Sequence, residues 1–124
     1  MLRDKSSSAI VAVTDIDRAK TFYATVLGLD LVDHSMGEVL VFRTGETHLV
    51  VYRSDDAGSN RANAVVWGVG DEIEAIAADL KARGAAFEHY PDIGTLEGDV
   101  HAAGDMKMVW LRDPDGNILH LNNM

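Results

Sequence analysis

Apolar and polar positions change rhythm along this chain, and the change happens twice. Ser8 to Val13 ends in small and branched apolar residues, the pattern of a strand. Thr14 and Asp15 can each cap a helix, and Ile16, Ala19, Phe22, Tyr23, Val26 and Leu27 then recur at three- and four-residue spacings, leaving Asp17, Arg18 and Lys20 for water. Gly28 supplies a left-handed stop. Leu29 to Ser35, Glu38 to Arg43 and His48 to Arg53 read as strands, separated by Met36-Gly37 and Thr44-Gly45-Glu46, both short enough for hairpins. The first unit is therefore one strand, one helix and three strands.

The second unit restates this. Val69-Gly70-Asp71 repeats Val13-Thr14-Asp15, and Gly84 repeats Gly28, all at an offset of 56 positions. A repeat of that period means two copies of one supersecondary unit, each too small to bury much alone, packed into a single core. Polar Asp55 to Asn63 links the copies. Ala64 to Val69 is the second copy's first strand, and Asp71 is expected to cap a helix whose Ile73, Ile76, Ala77 and Leu80 form the buried stripe. Ala86 to His89 follows as a strand. Pro91 to Gly104, with Gly94, Gly98 and Gly104, reads as a long loop, the kind that is functional or mobile in a small domain. Met106 to Arg112 and Ile118 to Asn122 flank Asp113-Pro114-Asp115-Gly116-Asn117, a tight-turn signal for a final hairpin.

Composition narrows the function. With 124 residues, 47% hydrophobic and 25% charged, the chain has the balance of one globular domain. Its formal charge of −9 is spread along the sequence and would repel a phosphate backbone, so nucleic acid is not expected as a partner. The absence of cysteine removes disulfides, thiolate nucleophiles and thiolate-bound zinc. No stretch approaches membrane-spanning length and Met1 to Ser8 lacks an apolar core, so a soluble cytoplasmic protein without membrane attachment is expected. Two familiar motifs fail on inspection. The Asp113 to Asn117 run lacks the rhythm, the twelfth-position glutamate and the flanking helices of a calcium loop. Gly68-Val69-Gly70 lacks the third glycine of a dinucleotide fingerprint.

Val13-Thr14-Asp15, Phe22-Tyr23, Val26-Leu27-Gly28-Leu29 and the Trp110 to Asn117 segment, spaced around the repeat, resemble the vicinal oxygen chelate superfamily of glyoxalase, bleomycin resistance and dioxygenase proteins. The resemblance implies an α+β fold of two tandem βαβββ modules forming a curled mixed sheet, with helices on the outside. It places one domain over residues 1–124, with module 1 at about 8–54, a linker at about 55–62 and module 2 at about 63–122. It further implies a cup for a small-molecule ligand, frequently completed by homodimerisation, so a homodimer is expected. It does not by itself imply a reaction.

Enzymes of that superfamily usually hold a divalent metal with His, Glu or Gln from four strands. On that pattern the donor positions of this chain fall at Ser8, Val50, Ala64 and His120, and only His120 is a good ligand. A register error of one residue brings in Ala9, Leu49, Val51 and Val65, which are no better. No metal and no other cofactor is therefore expected.

Strand alternation says what lines the cup instead. If Val50 faces it, so do His48 and Tyr52, while Leu49 and Val51 face the helix. His120 shares its face with Ile118 and Asn122, and Trp110 and Met108 should join it. Ser8, Ile10 and Ala12, with Ala64, Val66 and Gly68, complete the floor. The candidate ligand-binding residues are thus His48, Val50, Tyr52, Met108, Trp110 and His120, with His101 from the long loop as a candidate to close over a ligand. Their composition suits an aromatic or amphiphilic organic molecule.

Each residue has a plainer account. Trp110 and Tyr52 also suit a core or a dimer interface, and His120 a hydrogen-bonded structural role. His101 and His89 suit solvated positions, and nothing fixes the separation of His48, His101 and His120 as a metal set. Asp71, Glu72 and Glu74 complement the helix dipole. Two functions remain, beside a weaker third, a purely structural or regulatory subunit whose cup is only a dimer interface. One is a metal-independent binding protein, similar to the bleomycin-resistance branch, for which the acidic charge favours cationic ligands. The other is a metal-independent lyase- or isomerase-like enzyme, with His120 as acid or base and Tyr52 as hydrogen-bond donor, acting on a small carbonyl compound.

Overall fold

Period-two alternation in the first half becomes a sheet with one buried face. The computed structural model describes Met1–Met124 and divides into two compact units, Met1–Ala57 and Gly58–Met124. In the first, β1 (Ala9–Val13), β2 (Asp30–Asp33), β3 (Val39–Thr44) and β4 (Thr47–Arg53) are ordered β1-β4-β3-β2. β1 runs parallel to β4 and the other pairs are antiparallel, so the sheet is mixed.

Helix α1 (Ile16–Thr21) lies over β3 and β4. Its start is fixed by the Asp15 carboxylate, which accepts the Arg18 backbone N–H at 3.0 Å, as capping requires. The following turn, Phe22–Val26, widens to bonds of five-residue span, with the Leu27 N–H donating to the Phe22 carbonyl. That places Phe22 and Tyr23 in the core, where Tyr23 meets Phe42 with ring centroids 5.8 Å apart. Val11, Val13, Leu40, Phe42, Leu49 and Val51 are buried there too. Each such side chain contributes roughly 1.5–3 kcal/mol of burial.

The second unit repeats the plan. It contains β5 (Asn63–Gly68), α2 (Ile73–Ala82), β6 (Ala86–Glu88), β7 (Thr95–Glu97), β8 (Val100–Ala103), β9 (Met106–Arg112) and β10 (Ile118–Asn122). The order is β5-β10-β9-β8-β7, with β5 parallel to β10 and β6 also paired to β9. β6 takes the Arg112 end of β9 and β8 the Met106 end. Val109, Leu111, Leu119 and Leu121 are buried with Ile73, Ala77 and Leu80 of α2.

Two expectations are corrected. Asp71 does not cap the second helix: Gly70–Glu72 forms a single tight turn, α2 begins at Ile73, and Glu72 occupies the cap position without a side-chain bond. Gly70, at φ +60°, opens that turn. The Pro91 to Gly104 stretch is not a loop but contains the hairpin β7–β8, in which Leu96 pairs with His101 and Glu97 with Val100. Its strands, three and four residues long, are too short to announce themselves, and Gly98 and Gly104 mark turns. No helix is long and apolar enough to cross a membrane.

Candidate functional site

One face of each sheet is left uncovered by its own helix. On the first sheet, alternation places His48, Val50 and Tyr52 opposite the buried Leu49 and Val51, as the sequence predicts. Cross-strand neighbours Ile10, opposite Val50, and Val39, opposite Tyr52, share that side. His48 and Tyr52 are exposed, Val50 is half-buried, and Ile10 is 61% exposed. This surface is apolar but holds few groups able to direct chemistry.

The second sheet's open face is richer. In the β9–β10 register His120 lies opposite Trp110 and Asn122 opposite Met108, so these four side chains share one side, opposite Leu119 and Leu121. The Trp110 indole stacks on the His120 imidazole with centroids 4.7 Å apart and planes at 25°. Its other neighbours meet it edge-on: His101 at 5.0 Å and Tyr90 at 5.1 Å. The indole N–H donates to the Asn63 side-chain oxygen at 3.2 Å, which fixes the ring's direction. Sequence reasoning missed Tyr90 and Asn63. The signal for Tyr90 was its place two residues beyond β6, whose Glu88 pairs with Trp110.

The hydrogen bonds of His120 define its chemistry. Nδ1 lies 3.1 Å from the Val109 carbonyl, which only accepts, so in the neutral ring Nδ1 carries the proton and Nε2 keeps its lone pair. The Asn122 amide approaches Nε2 at 3.5 Å, while Asn122 Oδ1 accepts from the Met124 N–H. Partial burial pulls the His120 pKa below its ordinary 6.5, and the Val109 bond opposes this only in part. The ring is thus a neutral acceptor on the open face.

His101 is not a lid residue. It stands on β8, is 1% exposed, and its Nε2 accepts the Tyr90 backbone N–H at 2.9 Å. Protonating Nε2 would set two donors against each other, and the buried Nδ1 has no hydrogen-bond partner. Burial, then the nearby His89, hold its pKa down. Its part is to support the Trp110 edge. His89 is exposed, as expected, and bonds Asp99 at 2.8 Å.

The donor positions implied by the superfamily resemblance do not suit a metal. Unit one offers Val50 and Ser8 there, and unit two offers Ala64 and His120; valine and alanine have no lone pairs. Trp110 contacts both His101 and His120, so these imidazoles serve the indole. No three His, Asp or Glu side chains gather as an ion would require.

The family profile of the Glyoxalase/Bleomycin resistance protein/Dioxygenase superfamily matches residues 6–121. Among solved structures, the chain resembles a glyoxalase/bleomycin resistance protein/dioxygenase from Alicyclobacillus acidocaldarius at 19% identity and TM-score 0.74, covering 96% of this chain and 90% of that one. It resembles a fosfomycin resistance protein from Mesorhizobium loti at 13% identity and TM-score 0.71, covering 98% and 92%. A lactoylglutathione lyase from Agrobacterium tumefaciens matches at 18% identity and TM-score 0.69, covering 95% and 92%. At these identities the likeness establishes the fold.

Proposed function

We propose, from the premise that the chain belongs to the Glyoxalase/Bleomycin resistance protein/Dioxygenase superfamily, that it is a metal-independent binding protein for a small aromatic or amphiphilic organic molecule. The observation that carries this reading is the Trp110–His120 stack on the uncovered face of the second sheet. The indole, 7% exposed and held by Asn63 and two further rings, backs the half-buried His120 ring, and a flat ligand loses little by docking on so preorganised a surface. Met108 and Ala64, half-buried, and Val66, 59% exposed, extend the apolar surface. His120 Nε2 supplies one directed acceptor. On the first sheet, His48, Val50 and Tyr52 form the corresponding apolar surface of that unit, and His101 acts beneath Trp110 rather than on the ligand. The donor set at Ser8, Val50, Ala64 and His120 supports metal independence. We also propose a homodimer, because Ile10 and Val66 are exposed large apolar residues on sheet faces that their own helices leave uncovered.

A second reading is favoured by the His120 tautomer. An imidazole whose unprotonated Nε2 meets only the Asn122 amide at 3.5 Å, and whose pKa is depressed, is a competent base, which suits a metal-independent lyase- or isomerase-like reaction on a carbonyl compound. Native mass spectrometry for a co-purifying molecule, followed by incubation with it, separates the two. A bound molecule of unchanged mass supports binding, and a mass change abolished by His120→Ala supports catalysis. One tightly held divalent ion per chain in elemental analysis overturns the metal-independent reading.

A further inference from the structure

Beyond the aromatic platform, the second unit holds a cleft of about 620 Å³ at the Arg112 end of its open face. It is lined by the segment Gly58 to Arg61, by Arg112, Gly116 and Ile118 of the last hairpin, and by Tyr90. We infer that this cleft seats the carboxylate of an organic acid whose aromatic body lies toward Trp110.

The walls are fixed in place. Gly58, at φ +72°, runs so close to the final turn that a Cβ there would lie 2.0 Å from the Asp115 carbonyl oxygen. That turn is itself rigid, because the Asp113 carboxylate accepts the backbone N–H groups of Asp115 and Asn117 and the Asn117 amide. The chain at Gly58 therefore lies directly against this turn, and Arg61 follows three residues later.

The donors in the cleft exceed the acceptors. Arg61 forms no ion pair or hydrogen bond. The Asn60 side-chain oxygen is occupied by the Ala62 N–H, so its amide hydrogens are the part left for a ligand. Arg112 engages Glu88 through Nε, leaving the outer guanidinium nitrogens, with Nη1 beside Gly116. Glu88 pairs with Arg112, and Arg61 adds a second guanidinium that no carboxylate pairs. One charge and two forked donor groups match a carboxylate, which guanidinium binds side-on. A phosphate dianion fits less well, since the chain's charge of −9 opposes each added negative charge. The same net charge favours cations at long range, but screening over about 8 Å in physiological salt lets the local arginines decide at contact.

The apolar side of the cleft points to the ligand's body. Ile118 lies directly across from Arg112 in the register, and the Tyr90 ring meets Trp110 edge-on at 5.1 Å. The anion seat thus opens onto the aromatic platform. The inference rests on the aromatic-ligand reading for the body of the molecule, and on Arg61 and Arg112 alone for its head.

Three matched probes test both parts: 2-naphthoate, 2-naphthalenemethanol and 2-naphthylmethylamine, titrated by NMR at one ionic strength against the full chain and Arg61→Gln. Naphthoate should bind about fivefold more tightly than the alcohol, the scale of an exposed charge-assisted pair. The amine should bind more weakly than either. Arg61→Gln, an exposed substitution whose fold is checked by circular dichroism, should abolish the carboxylate's advantage over the alcohol. If naphthoate binds through Arg61 while the alcohol does not bind at all, the seat stands and the aromatic platform fails. If the alcohol binds at Trp110 but naphthoate gains nothing, or Arg61→Gln leaves the ratio unchanged, the seat is refuted and the platform stands. Preference for the amine, or no binding of any probe, also overturns it.

Discussion

Trp110 and His120 occupy directly opposed positions on β9 and β10, and their rings stack with centroids 4.7 Å apart. In an antiparallel pair, opposed side chains stand close enough to interact, and two flat rings use that spacing fully. The indole is only 7% exposed, so it serves the core as well as the open face. Replacing it with Ala should cost about 3–5 kcal/mol by chemical denaturation, whereas Trp110→Phe should cost about 1–2 kcal/mol. The Phe variant keeps most of the area and loses the bond to Asn63. A Trp110→Ala chain as stable as the parent would remove the platform from the account.

The final turn is secured by one carboxylate. Asp113 is buried and accepts from the Asp115 N–H at 3.0 Å, the Asn117 N–H at 2.9 Å and the Asn117 amide at 2.7 Å. Removing it leaves buried donors without a partner, so Asp113→Ala should lose about 2–4 kcal/mol in thermal unfolding. Asp113→Asn keeps one acceptor oxygen and should lose less. Equal losses for the two variants would mean that side-chain volume, not hydrogen bonding, holds the turn.

Much of this was legible from pattern alone. A half-buried sheet imposes a two-residue period, which separates Leu49 and Val51 from Val50, and Leu119 and Leu121 from His120, before any coordinates are known. Gly28 and Gly84, with φ of +72° and +89°, mark equivalent chain turns 56 positions apart. What stayed hidden depended on partners distant in sequence. His101 reads as a loop histidine until β8 pairs with β9 and brings it beneath Trp110. Arg61 and Arg112 are 51 positions apart, and only the seating of Gly58 on the Asp115 carbonyl makes them neighbours of one cleft.

The β7–β8 hairpin, hidden in the same way, makes its own prediction. Gly94 sits at φ +59°, and a Cβ there would lie 2.1 Å from the Ala102 carbonyl oxygen. Backbone cannot yield as a flexible side chain does, so Gly94→Ala should displace the hairpin at a cost of at least about 2 kcal/mol. Hydrogen exchange at Thr95 to Ala103 is the direct measurement: protection should fall there before it falls on β10. Unchanged protection would show that the hairpin tolerates the added methyl group.

Acidification should destabilise the second unit through two histidines. His101 and His120 both have pKa values below the ordinary 6.5, in each case chiefly because burial disfavours the charged ring. Above that pH the rings are neutral in folded and unfolded chains alike, and neither contributes a pH slope. As pH falls through about 6.5 the unfolded chain takes up protons that the folded chain still refuses, so unfolding is favoured. The loss grows until the folded rings protonate too, and below that point it is constant. For His101, protonation at Nε2 would also break the bond from the Tyr90 N–H, so the folded ring resists it on geometry as well as burial. Denaturation midpoints between about pH 8 and pH 5 should therefore decline below about 6.5, and the decline should shrink in His101→Gln, whose amide oxygen can still accept from Tyr90. His120→Gln should shrink it separately, because its ring proton bonds a different carbonyl, that of Val109. A flat profile, or a slope untouched by both substitutions, would show that these rings do not govern the acid limb.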